Sequence, residues 1–479
     1  MQLSKKTYRD YKEYPEKVLQ FGEGNFLRCF VDWMFHQLNK QAGFNGSVVV
    51  VQPIDKGMVN LLNEQDGLYT IYLRGLKNGK AESTHEVVDV ISRGINAYED
   101  FTSYLKTAGQ PDIRYVISNT TEAGIAFDDR DHSTDTPPSS FPAKLAVWLY
   151  HRYKIFHGES SKGVHVIPCE LIEKNADNLK KIILQLAAKW NYEEGFVSWL
   201  NNACTFNNTL VDRIVPGYPR ERMTEITAEL GYEDKQVVEG EPFHLWVIQA
   251  SDSLQKELPF PSIGLDVLYV KDITPYRTRK VRILNGAHTA LVPVAYLYGI
   301  DTVRESVEDP VIGKYLRDTI FEEIIPTLDL PKEELEQFAN EVIDRFRNPY
   351  IKHLLMSIAL NSWSKFETRV LPSILEYKKR KGSIPERLAF SLAATIAFYK
   401  GQRGDEAIAL NDDAGAMELL KNAWEESDGS EQAIKQVVTK VLRFEKNWKQ
   451  DLNQVEGLND AVTKHLINIE KYGVKKAIV

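Results

Sequence analysis

The stretch Val18-Leu19-Gln20-Phe21-Gly22-Glu23-Gly24-Asn25-Phe26-Leu27-Arg28 decides how the first half of the chain is read. A short apolar run stops at two glycines, and from Phe26 to Phe35 apolar side chains recur at helical spacing. This is a strand, a tight turn and a helix. Such a turn lets backbone amides approach a pyrophosphate at the helix N-terminus, where unsatisfied N–H groups and the helix dipole favour negative charge. Leu27 stands where the usual dinucleotide fingerprint has its third glycine. The turn therefore reads equally as a nucleotide site or as a plain strand-to-helix connection.

Further along, Ser47-Val48-Val49-Val50-Val51, Arg114-Tyr115-Val116-Ile117-Ser118-Asn119 and Val164-His165-Val166-Ile167-Pro168 are continuous β-branched runs. A strand covered on both faces cannot alternate polar with apolar residues, so these runs predict a buried, mostly parallel sheet. The second run leads into Gln52-Pro53-Ile54-Asp55. An acid at that strand end could accept both ribose hydroxyls and repel a 2′-phosphate, favouring NAD over NADP; as an alternative Asp55 is a loop carboxylate. Ser118-Asn119-Thr120-Thr121-Glu122-Ala123-Gly124 follows a later strand, so Asn119 and Thr121 either face a ligand crevice or cap the next helix.

After about residue 280 the texture changes. Leu335, Phe338, Ala339, Val342, Ile343 and Phe346, then Leu388 to Ala397, then Ala433 to Leu442, follow helical periods. The expectation is an α/β domain over 1–275 and a mostly α-helical domain over 276–479.

Composition bounds the function. The 479 residues are 43% hydrophobic and 26% charged, as in ordinary globular proteins, with a formal charge of -8 that offers no positive field for nonspecific nucleic-acid binding. Three scattered cysteines build neither a disulfide framework nor a zinc cluster. The N-terminus lacks an apolar export core, and no apolar run is long enough to cross a bilayer, so the sequence reads as cytoplasmic and not membrane-bound.

The richest chemistry lies in Arg279-Lys280-Val281-Arg282-Ile283-Leu284-Asn285-Gly286-Ala287-His288. Asn285 and His288 fall one helical turn apart, and their side chains lean toward Lys280. Lys280 could move a proton, Asn285 stabilise an alkoxide and His288 orient a hydroxyl. A lysine serves as base only if its pKa falls from about 10.4 toward roughly 7 to 8, and Arg277, Arg279 and Arg282 push that way. The alternative is a basic helix start with a satisfied polar pair. Asp212, beside Arg213, and Arg345 are further candidates, as substrate contacts or as a buried ion pair and a helix cap.

Phe21-Gly22-Glu23-Gly24-Asn25-Phe26-Leu27-Arg28, Thr121-Glu122-Ala123-Gly124, Val211-Asp212-Arg213-Ile214, Phe243-His244-Leu245-Trp246-Val247-Ile248 and Lys280-x4-Asn285-x2-His288 together resemble, in this order, the polyol-specific long-chain dehydrogenases of the mannitol dehydrogenase family. The resemblance implies a Rossmann-type N-terminal domain with a helical C-terminal domain, and NAD contacts along Gln20, Phe21, Gly22, Glu23, Gly24, Asn25, Phe26, Leu27 and Arg28, with Asp55, Asn119 and Thr121. It implies metal-independent hydride transfer with Lys280 as acid/base and Asn285 and His288 on the reacting oxygen. Asn175, Asp212, Arg345 and Lys365 become the implied substrate contacts. Polyol-oxidising members carry Ser-Cys-Asp-Asn where this chain has Pro168-Cys169-Glu170-Leu171, and an arginine near the place of Ser357, which implies an altered pocket. The phrases QFGEGNFLR, PCELIEKNAD and RFRNPYIKH are similar to members acting on a sugar acid, so interconversion of D-altronate and D-tagaturonate is the expectation. Mannonate/fructuronate or mannitol turnover, or a non-catalytic nucleotide-binding regulator, are the alternatives.

Overall fold

In the computed structural model, which describes residues 1–77, 79–121 and 123–478, the opening apolar run is strand β1 (Glu16–Phe21). The chain forms two compact units, Met1–Gly75 with Glu82–Ile273, and Leu76–Ala81 with Thr274–Val479.

Along the chain β1 is followed by β2 (Ser47–Gln52), β3 (Tyr69–Lys77), β4 (Lys80–Val88), β5 (Ile91–Asn96), β6 (Tyr115–Ser118), β7 (His165–Pro168) and β8 (Thr205–Phe206). The main sheet has the order β5-β2-β1-β6-β7-β8, and its neighbours pair in parallel. Both faces are apolar: Val18, Val48, Val50, Ile117 and Ile167 enter one core, and Leu19, Phe21, Val49, Val51, Val116 and Val166 the other. Side chains alternate faces along a strand, so a sheet covered on both sides needs the unbroken apolar runs seen in the sequence. This is a doubly wound Rossmann-type sheet. Its strand order reverses between β1 and β6, the switch point beyond which such sheets bind ligands.

Two smaller sheets complete this unit: β3 and β4 with β10 (Val238–Gly240), and β9 (Thr209–Asp212) with β11 (Leu245–Gln249) and β12 (Val267–Val270). No apolar alternation marks β4 in the sequence, and Lys80-Ala81-Glu82-Ser83-Thr84-His85 is exposed throughout.

The second unit is helical. Helix Glu386–Phe398 is buried at every residue from Leu388 to Phe398 and packs against helices Ala287–Tyr298 and Leu458–Tyr472. A helix apolar all round is stable only when so enclosed. The periodic stretches near 335 and 433 are helices Lys332–Phe346 and Glu431–Leu442. No helix among the described residues is long and apolar enough to cross a membrane.

Candidate functional site

Gly22 lies directly beyond β1 at a φ of +118°, which side chains other than glycine rarely adopt, and a Cβ there would meet the Asn119 carbonyl oxygen at 2.9 Å. The Gly22 amide donates to the Val51 carbonyl and the Asn119 amide to the Phe21 carbonyl, fixing the ends of β1, β2 and β6 together. Gly24 differs. Its backbone is extended, it is exposed, and no protein atom comes within 4 Å of an added Cβ. The helix that begins at Asn25 has no side chain capping its N-terminus. Pro53, Ile54, Thr120, Thr121, Ala123 and Gly124 line a groove of about 550 Å³ beyond β2 and β6. Glu122 lies outside the described residues.

The other residues of the turn build it. Gln20 is fully buried and donates to the Gly22 carbonyl and to Asp32; Phe21 packs between Tyr104 and Phe141. Buried Arg28 donates to the carbonyls of Glu23 and Gln236 and to Asn25 Oδ1, and Leu27 fills the core where a third glycine was expected. Glu23 accepts from the Met58 amide at 3.1 Å. Within the stretch Gln20 to Arg28, therefore, Gly24, Asn25 and Phe26 keep exposed or half-buried surface. Asp55 is exposed at the end of β2, and its charge reaches Tyr98.

The loop after β7 is committed internally. Buried Glu170 accepts from Ser118 Oγ, the Thr120 amide and Thr120 Oγ1, and burial raises its pKa. Asn175 is fully buried; its amide donates to the carbonyls of Pro168 and Glu170, and its oxygen accepts from the amides of Thr209 and Ala176. An asparagine so used has no bonding capacity left for a substrate. Asp212 ends β9 at 4% exposure, and Arg213 donates to the carbonyls of Glu241 and Cys29 while stacking on Trp33.

In the second unit, Lys280 to Gly286 is not α-helical. α-Helix Thr274–Arg279 passes into a π-helical segment, Lys280–Gly286, and then into helix Ala287–Tyr298. In an α-helix, residues five apart point about 140° away from each other. A π-helix bonds i to i+5, so Lys280 and Asn285 become neighbours along the axis. The sequence reading placed Asn285 and His288 on one helical face leaning toward Lys280; the winding that makes Lys280 and Asn285 neighbours is π-helical and not α-helical. Gly286 permits a close approach of helix Ser362–Arg369, since a Cβ would lie 2.8 Å from the Arg369 carbonyl oxygen.

His288 stacks on Phe346 and meets His353 edge-on at 5.3 Å between ring centroids. Its Nε2 is sealed from water with no hydrogen-bond partner among the described residues. Burial, then the positive charges of His353, Arg345 and Arg369, hold its pKa well below 6.5. The ring is neutral at pH 7 and can donate or accept one hydrogen bond. Among the described residues, none bonds the Asn285 side chain. Of the flanking arginines, Arg279 pairs with Glu334 at 2.6 Å and Arg282 donates to Ser373. Arg345 is 6% exposed at the end of helix Lys332–Phe346, and Lys365 donates to the Ile358 carbonyl at 3.0 Å. Sequence reasoning singled out neither Phe346, His353 nor Arg369 as site residues; the signal for Arg369 was its place one helical turn after Lys365.

Family models for the mannitol dehydrogenase Rossmann domain and the mannitol dehydrogenase C-terminal domain match residues 16–262 and 272–470. An altronate oxidoreductase of Bacillus subtilis (strain 168) is 48% identical over 476 residues, covering 99% of this chain and 97% of that protein. An altronate oxidoreductase of Phocaeicola vulgatus is 49% identical over 466 residues, covering 97% of this chain and 96% of that protein. A crystal structure of D-sorbitol dehydrogenase in substrate-free form shares the fold, with a TM-score of 0.84 at 22% identity and full coverage of both chains.

Proposed function

The chain belongs to the mannitol dehydrogenase family, and from that premise we propose that it interconverts D-altronate and D-tagaturonate with NAD(H), residues 1–275 carrying the cofactor and 276–479 the acid/base chemistry. The observation that carries this reading is the 48% identity with an altronate oxidoreductase along 99% of the chain. The residues beyond β1 fit a dinucleotide: an uncapped helix start at Asn25, an open approach at Gly24 and a groove past Thr121. When bound, the dinucleotide supplies or accepts the hydride at the substrate carbon.

The chain's own residues handle the oxygen and its proton. In reduction, Lys280 Nζ gives its proton to the carbonyl oxygen as the C–H bond forms; in oxidation it takes the proton back from the hydroxyl. Asn285, aligned with Lys280 by the π-helical segment, donates its amide N–H to the developing alkoxide. Neutral His288, pinned by Phe346, orients a substrate hydroxyl through the part of its half-buried ring that stays accessible, Nε2 itself being enclosed. Asp212, Arg345 and Lys365 complete the proposed substrate contacts.

The test is NADH consumption against D-tagaturonate, D-fructuronate and D-fructose. Tagaturonate should lead by tenfold or more in kcat/KM, about 1.4 kcal/mol of discrimination. Preference for either other ketose overturns the substrate assignment, and no turnover of any overturns the catalytic one.

A further inference from the structure

Arg369 stands at the end of helix Ser362–Arg369, one turn after Lys365. Its backbone is held at the catalytic segment, because its carbonyl oxygen packs on Gly286, the residue after Asn285. Its charge reaches both His288 and Lys365. Among the described residues the guanidinium has neither a hydrogen-bond nor an ion-pair partner, although it is half-buried. The cations around it differ: Arg279 has Glu334, Arg282 has Ser373, Lys365 has the Ile358 carbonyl, and Arg345 has interactions of its own.

A partly desolvated guanidinium without a counter-ion costs free energy. A protein keeps such a group where a ligand brings the missing charge. Burial lowers the pKa of Arg369 with no carboxylate to offset it, yet arginine stays protonated at any physiological pH. Its planar fork matches a carboxylate, two parallel N–H groups to two oxygens, in a way that the point charge of lysine does not.

We propose that Arg369 binds the carboxylate of the substrate and thereby sets the preference for a sugar acid over a neutral ketose. The proposal rests on the functional reading above and supplies the anchor which that reading leaves open. The carboxylate seated on Arg369 leaves the carbonyl at the far end of the carbon chain for Lys280 and Asn285. Neutral ketoses lack the group, so they leave the guanidinium unpaired in the complex and bind weakly.

The experiment compares wild type, Arg369→Gln and Arg369→Lys with NADH, using D-tagaturonate and the neutral ketose D-tagatose. Arg369→Gln should lower kcat/KM for tagaturonate on the order of 10²-fold, mainly through KM, and leave tagatose within a few-fold. Arg369→Lys, which keeps charge and stem, should recover part of the loss, with NADH affinity equal in all three proteins. Equal losses on both substrates, or an undiminished preference for the acid in Arg369→Gln, overturn the proposal. Calorimetric titration of the NADH-loaded proteins with D-altronate and with its neutral polyol altritol separates this proposal from the reading beneath it. If wild type does not reduce tagaturonate, the assigned reaction fails. The anchor then stands if altronate binds more tightly than altritol in wild type but not in Arg369→Gln, and falls if the two bind alike in wild type or the preference survives the substitution.

Discussion

The imidazole of His288 lies flat on the ring of Phe346, with centroids 3.9 Å apart and planes inclined by 18°. Stacking fixes the ring plane, and with it the direction in which the half-buried ring can meet a ligand. Phe346→Leu keeps an apolar contact but removes the flat support. It should lower kcat/KM by roughly tenfold, since a small misplacement of a positioning group is costly, while NADH affinity stays unchanged. Steady-state kinetics with a cofactor titration would read both, and unaltered kinetics would remove Phe346 from the account.

His288 also gives stability a pH dependence. Its folded pKa is well below 6.5, so below about pH 6.5 the unfolded chain binds a proton that the folded chain refuses. Stability from this group is full above pH 6.5 and is lost as pH falls beneath it. The drop in Tm between pH 7.5 and 5.5 should be shallower in His288→Gln than in wild type; parallel drops would contradict the sign.

Lys280→Ala should lower kcat by at least the roughly 10²-fold typical of an acid/base group, and Asn285→Ala by about 10² to 10³ as for a lost oxyanion donor. Neither should weaken NADH binding. Because charge stabilisation is assigned to these two side chains, turnover should also survive exhaustive chelation with EDTA. Full activity in a folded Lys280→Ala protein, or rescue of chelated enzyme by zinc or manganese, would break the assignment.

Asp55, exposed at the end of β2, should favour NADH through the ribose hydroxyls and repel a 2′-phosphate. Asp55→Ser should narrow the ratio of NADPH to NADH dissociation constants in fluorescence titrations. An unchanged ratio would leave Asp55 as a loop carboxylate.

Asp32 is fully buried, accepts one hydrogen bond from Gln20 Nε2 at 3.1 Å, and leaves its other oxygen without a partner. Burial pushes its pKa up to about 7. Between about pH 4 and 7 the folded state holds a proton that the unfolded state has released, so stability falls as pH rises through that window. Asp32→Asn keeps the shape and the Gln20 contact without the charge. It should raise Tm at pH 8, by roughly 2–4 °C for each kcal/mol relieved, and have little effect near pH 4. A lower Tm at pH 8 would show that the carboxylate is compensated in the fold.

What the sequence determined is what depends on local pattern. The runs Val18 to Phe21, Ser47 to Val51 and Tyr115 to Ser118 read as strands covered on both faces, as they are, and Gly22-x-Gly24 before a helical period marked a tight strand-to-helix turn open to either a nucleotide or a plain connection. Lys280, Asn285 and His288 were legible as residue types that move and stabilise a proton. Tertiary structure decided which polar groups remain available to a ligand. Asn175 and Arg28 looked like contacts, yet buried carbonyls and amides take up their bonds, and Gln20 is fully buried with its amide spent on the Gly22 carbonyl and Asp32; Arg369 drew no attention, yet lacks a partner among the described residues. Tertiary structure also wound residues 280–286 as a π-helix, aligning Lys280 with Asn285. Apolar periodicity reports which face is buried, but not a change from 3.6 residues per turn over a single turn. The bonds a polar side chain spends are set by neighbours brought from elsewhere in the chain, and no local pattern records them.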